Sequence, residues 1–180
     1  MRKILVTSSA ILVSALALAQ APPPNPSPSP ATTPVNTAPD RSQHLVINPN
    51  ALKWGPPPPA FEKGPTFTVV SGDPGKPGPF TVRMRMPQGF KIKPHYHPTD
   101  ENITVLAGEF AMGMGDTFDP AKMQSLTMGG YALMPAQMHH YAMAKTAATI
   151  QVHGIGPFSL TYINPADDPR TRAAAPPAKK

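Results

Sequence analysis

Between Phe80 and Met86 apolar and polar residues alternate without a break: Phe80, Val82, Met84 and Met86 on one side, Thr81, Arg83 and Arg85 on the other. A period of two places successive side chains on opposite faces of an extended chain, so this run is a half-buried strand and not a helix. Shorter segments repeat the pattern. Glu101, Ile103 and Val105 share one parity, and Asn102, Thr104 and Leu106 the other. Further short strands are expected over 66–70, 109–115, 123–128, 131–134, 139–143, 149–153 and 159–163. Turn residues fill nearly every gap, as in Gly72-Asp73-Pro74-Gly75, Pro77-Gly78-Pro79, Pro87-Gln88-Gly89 and Gly129-Gly130. The one helical hint, Asp119-Pro120-Ala121-Lys122, amounts to a single turn. Many short strands without a helical period predict an all-β sandwich or barrel in one domain.

The ends of the chain follow other rules. Met1-Arg2-Lys3 is basic, an apolar run reaches Leu18, and Ala17-Leu18-Ala19 has the small-x-small pattern that a signal peptidase reads. Residues 1–19 are therefore expected to be a secretory signal peptide, giving a periplasmic or secreted protein. The apolar run is too short for a spanning anchor and is followed by prolines, and no cysteine is present to carry a lipid, so no stable membrane anchor is expected. Residues 20–43 are rich in Pro, Ser, Thr and Ala and cannot bury a core, which predicts a disordered linker. The β-barrel domain is expected over 44–163, with a Pro-rich arm at 52–65 packed on the barrel or across a subunit boundary. Residues 164–180 read as a flexible tail.

The net charge of +6 suggests a nucleic-acid partner until the charges are located. Between residues 41 and 168 ten Lys or Arg face nine Asp or Glu, so the excess belongs to the ends. No basic footprint remains, and nucleic-acid binding is not expected. With no cysteine at all, the domain must stand on its apolar core and on any metal it binds.

Chemistry concentrates around three of the six histidines. His95 and His97 are one residue apart, so on a strand both rings project from the same face. Glu101 follows four residues later and offers a hard oxygen donor. Two histidines and a carboxylate with open positions are the ligand set of many catalytic zinc and non-haem iron centres. Neither a nucleophile elbow nor a glycine-rich phosphate loop accompanies them.

These residues sit in a longer frame. Gly89, His95, His97, Glu101 and Gly108 are separated by five, one, three and six residues, the spacing of the first cupin motif. A second motif is partial: Gly129, five residues, Pro135, then Gln137 where the family has Gly, then His140, with Ala144 at the place of the terminal Asn. The chain resembles the cupin superfamily over roughly residues 66–163. The resemblance implies a double-stranded β-helix barrel that binds one divalent metal through His95, His97, Glu101 and His140. His139 is the rival for the last position, because neighbours on a strand cannot both point inward. It also implies a homodimer.

The function expected is that of an exported metal-binding cupin, a metal-dependent oxidoreductase of dioxygenase type acting on a small organic substrate. Glu101 is a candidate base. The alternatives are a non-catalytic envelope cupin that binds a small ligand, and a metal-dependent isomerase or hydrolase. Zn, Cu, Fe and Mn all suit the donor set, and metal uptake outside the cytoplasm favours Zn or Cu. Tyr96, Tyr141, Gln151 and His153 are candidates for the substrate pocket, with Tyr96 facing away if its strand is regular. The paired methionines Met84/Met86 and Met112/Met114 read as filling for the barrel interior.

Overall fold

The computed structural model describes residues 44–173. The expected signal peptide and linker lie outside the described residues, as does the chain beyond 173. Ten strands run in order: β1 (Thr66–Ser71), β2 (Gly78–Met86), β3 (Lys91–Tyr96), β4 (Glu101–Ala107), β5 (Phe110–Met114), β6 (Gln124–Leu126), β7 (Tyr131–Met134), β8 (His140–Ala144), β9 (Ala148–Gly156) and β10 (Thr161–Tyr162). They form two antiparallel five-stranded sheets, ordered β1-β2-β9-β4-β7 and β10-β3-β8-β5-β6. This is the all-β barrel that the alternation predicts, in the double-stranded β-helix form that the cupin resemblance implies.

The period of two explains which residues meet in the middle. Phe80, Val82, Met84 and Met86 of β2 are buried, as are Ile103 and Val105 of β4 and Ile150 and Val152 of β9. They join Ile92, Met112, Ala142 and Ala144 of the other sheet in one apolar cluster. Each large side chain buried there stabilises the fold by about 1.5–3 kcal/mol. Met84, Met86 and Met112 are core filling, as expected from their flexible, unbranched shape, whereas Met114, expected inside with them, is exposed at the end of β5. The expected turn at Asp119 is a 3-10 turn over Pro120–Lys122, with the Asp119 carboxylate accepting from the Ala121 N–H.

Two positions show why particular residues are needed. Gly108 follows β4 at φ +77°, where a Cβ would run into the Ala147 carbonyl. On the outer side of β5, Gly113 leaves room for the Tyr141 ring, which packs on Phe118 at 5.1 Å.

β3 was not among the expected strands. Its pairing with β8 shifts register between Ile92 and His95: Ile92 opposes Ala142, and His95 opposes His140. One extra residue on β3 makes this a β-bulge, and Pro94 sits inside it, where a missing N–H costs no ladder bond. The bulge brings His95 and His97 to the buried side after Ile92, which strict alternation would not do.

The arm at 52–65 packs against the barrel. Leu52 is buried, Gly55 exchanges both backbone hydrogen bonds with Phe67 at 2.9 Å, and the Arg85 guanidinium lies 3.9 Å from the Trp54 ring centroid. The buried Tyr162 hydroxyl donates to the Ala60 carbonyl at 2.8 Å. Beyond the barrel, where a flexible tail is expected from residue 164, the chain continues through a 3-10 turn (Pro165–Asp167) and a short helix, α1 (Pro169–Ala173). Arg170 donates to the Leu160 carbonyl at 3.0 Å, and Arg172 pairs with Glu62 of the arm. The two segments outside the barrel thus meet over the same end of it.

Candidate metal centre

His95 comes from β3, His97 follows that strand directly, and His140 opens β8 as the cross-strand partner of His95. Glu101 opens β4 in the opposite sheet, on the same inward parity as Ile103 and Val105. All four side chains are buried. One donor atom from each histidine lies within 4.8 Å of those of the other two. The Glu101 Oε2 stands 3.4 Å from His97 Nε2 and 3.3 Å from His140 Nε2.

The second nitrogen of each ring decides the chemistry. Nδ1 of His95 meets the Lys93 carbonyl at 2.7 Å, inside the bulge. Nδ1 of His97 meets the Ser159 carbonyl at 2.7 Å, and Nδ1 of His140 meets the Met138 carbonyl at 2.9 Å. A carbonyl only accepts, so each Nδ1 carries the hydrogen and each neutral ring presents a bare Nε2. His97 Nε2 and His140 Nε2 are buried with no hydrogen-bond partner. Opposite them is a carboxylate oxygen, which also only accepts. Bare acceptors converging in a buried place leave a cation as the group that satisfies them all. The residues fit a metal ion, and His95, His97 and His140 can hold it.

The electrostatics agree. Burial, with His140 and His97 adjacent, pushes the His95 imidazole down from 6.5 to about 3, so it stays neutral and able to ligate. Burial pushes the Glu101 carboxyl up; hydrogens on the facing edges of His140 and His97, when those rings carry them, hold the group below the usual carboxylate range.

The rival histidine faces the other way. His139 is 40% exposed, pairs with Asp116 at 2.6 Å, and stacks on Tyr96 at 5.4 Å. His140, the first residue of β8, therefore faces inward, and His139 just before the strand faces outward. The turn before β8 matters here. Gln137 holds φ +64°, the one residue other than glycine at positive φ among the described residues. It adopts the conformation for which the cupin pattern uses glycine, and its N–H donates to the His97 carbonyl at 2.9 Å.

None of the four residues proposed for the pocket reaches it. Tyr96 stacks outside on His139, and Tyr141 is buried under Phe118 with its hydroxyl on the Asp119 carbonyl at 3.1 Å. Gln151 accepts from Arg83 at 2.9 Å on the outer face of β9, and His153 is exposed there. His44 is exposed as well. Parity explains these positions: on β9 the inward set is Ile150 and Val152.

The space beside the histidines is instead apolar. A cavity of about 480 Å³ reaches His95, His97 and Glu101, and four phenylalanines, Phe61, Phe67, Phe80 and Phe158, stand in its wall. Phe158 stacks on His97 at 4.3 Å and meets Phe80 at 5.1 Å. The 58–61 stretch of the arm and Arg170 line it too. Sequence reasoning missed the 157–159 loop, which supplies both the stacking ring and the carbonyl that orients His97. A strand was expected from 159, but the Ser159 carbonyl bonds a side chain instead of a ladder, and β10 begins only at Thr161.

A two-sheet β-barrel with buried histidines from facing motifs is that of a cupin. More narrowly, the ChrR cupin-like domain matches residues 42–159, and the chain belongs to that family. Among solved structures it is similar to the polyketide cyclase RemF of Streptomyces resistomycificus, at 15% identity and a TM-score of 0.59, covering 74% of this chain and 95% of that one. It is also similar to a proposed acetylacetone dioxygenase of Methylibium petroleiphilum, at 21% identity and a TM-score of 0.54, covering 71% and 85%. At these identities the likeness is one of fold. No curated protein matches the chain.

Proposed function

We propose that this cupin is an exported metal-dependent oxidoreductase of dioxygenase type, with His95, His97, His140 and Glu101 as ligands, acting on a small organic substrate. The observation that carries the reading is the pair of orphaned Nε2 atoms of His97 and His140, converging with Glu101 beside an apolar cavity that His95, His97 and Glu101 line. Iron, manganese or copper would supply redox chemistry there, and zinc would polarise a bound oxygen as a Lewis acid. The protein's own part is positioning. Three backbone carbonyls set the imidazole tautomers, and the phenylalanines keep water from the ligands. Glu101, ionised and buried, completes the donor set; a role as base would require it to leave the ion.

A second reading is a non-catalytic envelope cupin that holds a small ligand on its metal. It draws support from the lining, where Glu101 is the one acid–base side chain beside the histidines apart from the Asp168-paired Arg170. The experiment is metal analysis of the protein recovered from the periplasm, followed by turnover assays with phenolic and diketone substrates for each reloaded metal. Turnover lost in His95→Ala supports the oxidoreductase; metal retention with no turnover in any form favours the binder. N-terminal sequencing of the same material tests export, with a start at Gln20 expected.

A further inference from the structure

We propose that the cavity selects a monoanion with a flat aromatic body, and that Phe61 on the Pro-rich arm is a determinant of that choice. The inference rests on the metal-centre reading and adds the ligand class. Its volume, about 480 Å³, lies within the roughly 300–1,000 Å³ of small-molecule sites.

Two features set the class. The first is the wall. Phe61, Phe67, Phe80 and Phe158 face the space, and the remaining lining is largely aliphatic, from Val82, Met84, Ile92, Ile150, Val152 and Leu160. A polyol or sugar entering here would leave its hydroxyls without partners, at a cost of roughly 1–3 kcal/mol for each group. A flat apolar body loses nothing and stacks on the rings. Phe158 already continues onto His97, so the aromatic surface runs to the metal ligands.

The second feature is charge. The one cationic side chain in the lining, Arg170, is committed: its guanidinium pairs with Asp168 at 2.7 Å and donates to the Leu160 carbonyl at 3.0 Å. It leaves no net charge at the mouth to attract an anion. At the inner end, three neutral imidazoles and one carboxylate around a divalent ion sum to one positive charge. A buried net charge in apolar surroundings is costly, and one anionic oxygen on the ligand removes it. The anionic end therefore goes inward and the aromatic body fills the cavity.

Phe61 is the determinant most open to change. It belongs to the arm and not to the barrel, and it is only partly buried. The arm holds it in place through the Tyr162–Ala60 hydrogen bond and the Arg172–Glu62 pair on either side.

The test is calorimetric binding to the full mature chain, with and without zinc, using 2-naphthoate, acetate, D-galacturonate and the neutral 2-naphthylmethanol. With zinc, 2-naphthoate should bind at least about tenfold more tightly than acetate or D-galacturonate. Phe61→Ala should remove about tenfold of that affinity and leave acetate unchanged. Phe61→Leu, which keeps an apolar side chain and spares the fold, should lose less. Without zinc the order should invert in favour of 2-naphthylmethanol, because Glu101 then repels a carboxylate. Galacturonate or acetate equal to naphthoate, or naphthoate indifferent to both Phe61 variants, would overturn the proposal while leaving the metal centre standing. A chain that takes up no zinc sinks the metal centre; the cavity is then judged by whether the metal-free chain prefers 2-naphthylmethanol to 2-naphthoate.

Discussion

Glu101 Oε2 and His140 Nε2 lie 3.3 Å apart, come from opposite sheets, and have no hydrogen to share while the imidazole is neutral. The His140 proton is on Nδ1, given to the Met138 carbonyl. Two acceptors held face to face in the interior destabilise the fold unless a cation lies between them.

Metal binding should therefore be coupled to stability. Saturation at about a thousand times Kd contributes about 4 kcal/mol, and removal by a chelator should lower Tm by on the order of 10 °C. His95→Ala should lose both the metal and the chelator response. Calorimetric melting with and without chelator checks this; identical midpoints in both conditions for the unaltered protein would sink the metal centre.

The neighbours His139 and His140, at the start of β8, should behave oppositely. His140→Ala should abolish stoichiometric metal. His139→Ala removes only an exposed pair with Asp116, and should cost less than about 1 kcal/mol with metal content unchanged. Metal analysis of the two variants side by side decides it, and metal lost in His139→Ala would reverse the assignment.

Gln137 should be replaceable with profit. Its φ of +64° is disfavoured for a side chain with a Cβ and free for glycine. Gln137→Gly should raise stability by up to about 1 kcal/mol, the relief exceeding the extra entropy of glycine in the unfolded chain. A lower Tm in the metal-free variant would count against the backbone reading.

Acid should unfold the metal-free protein progressively. His95 stays neutral in the fold down to about 3, against 6.5 for the ordinary group. Between those values the unfolded chain binds a proton that the folded one refuses. Stability is then complete above about pH 6.5 and falls with pH, by up to about 1.4 kcal/mol per unit. Urea midpoints taken between about pH 7 and pH 4 should fall; a flat profile contradicts the assignment.

The arm should be loosened by one atom. Tyr162→Phe removes the bond to the Ala60 carbonyl and leaves a buried acceptor, at a cost of about 1–3 kcal/mol. Proteolysis within 52–65 should become faster than elsewhere in the chain, and an unchanged cleavage pattern would show that the arm is held by other contacts.

Much of this was legible locally. Alternation in Phe80–Met86 and Glu101–Val105 names the buried parity, because a strand's side chains have no other choice than in or out. The spacing from Gly89 to Gly108 carries the cupin resemblance, which implies His95, His97 and Glu101 as donors. β3 was harder to see, because its bulge at Pro94 breaks the alternation that identifies strands. The pocket residues were misplaced for a related reason: parity says which residues share a face, but not which face is covered. Tyr141 and Gln151 proved to be on the outer sides of their sheets.

By itself, then, the sequence determined the strand pattern apart from β3, the parity of the regular strands and, through the family motifs, the positions of the donors, all properties of residues near one another along the chain. Tertiary structure alone decided that His140 faces His95 across a strand pair, that Glu101 reaches them from the opposite sheet, and that the Ser159 carbonyl and the Phe158 ring hold His97. Those relationships join segments distant in the chain, and a backbone carbonyl or a cross-barrel contact leaves no mark in the local residue pattern.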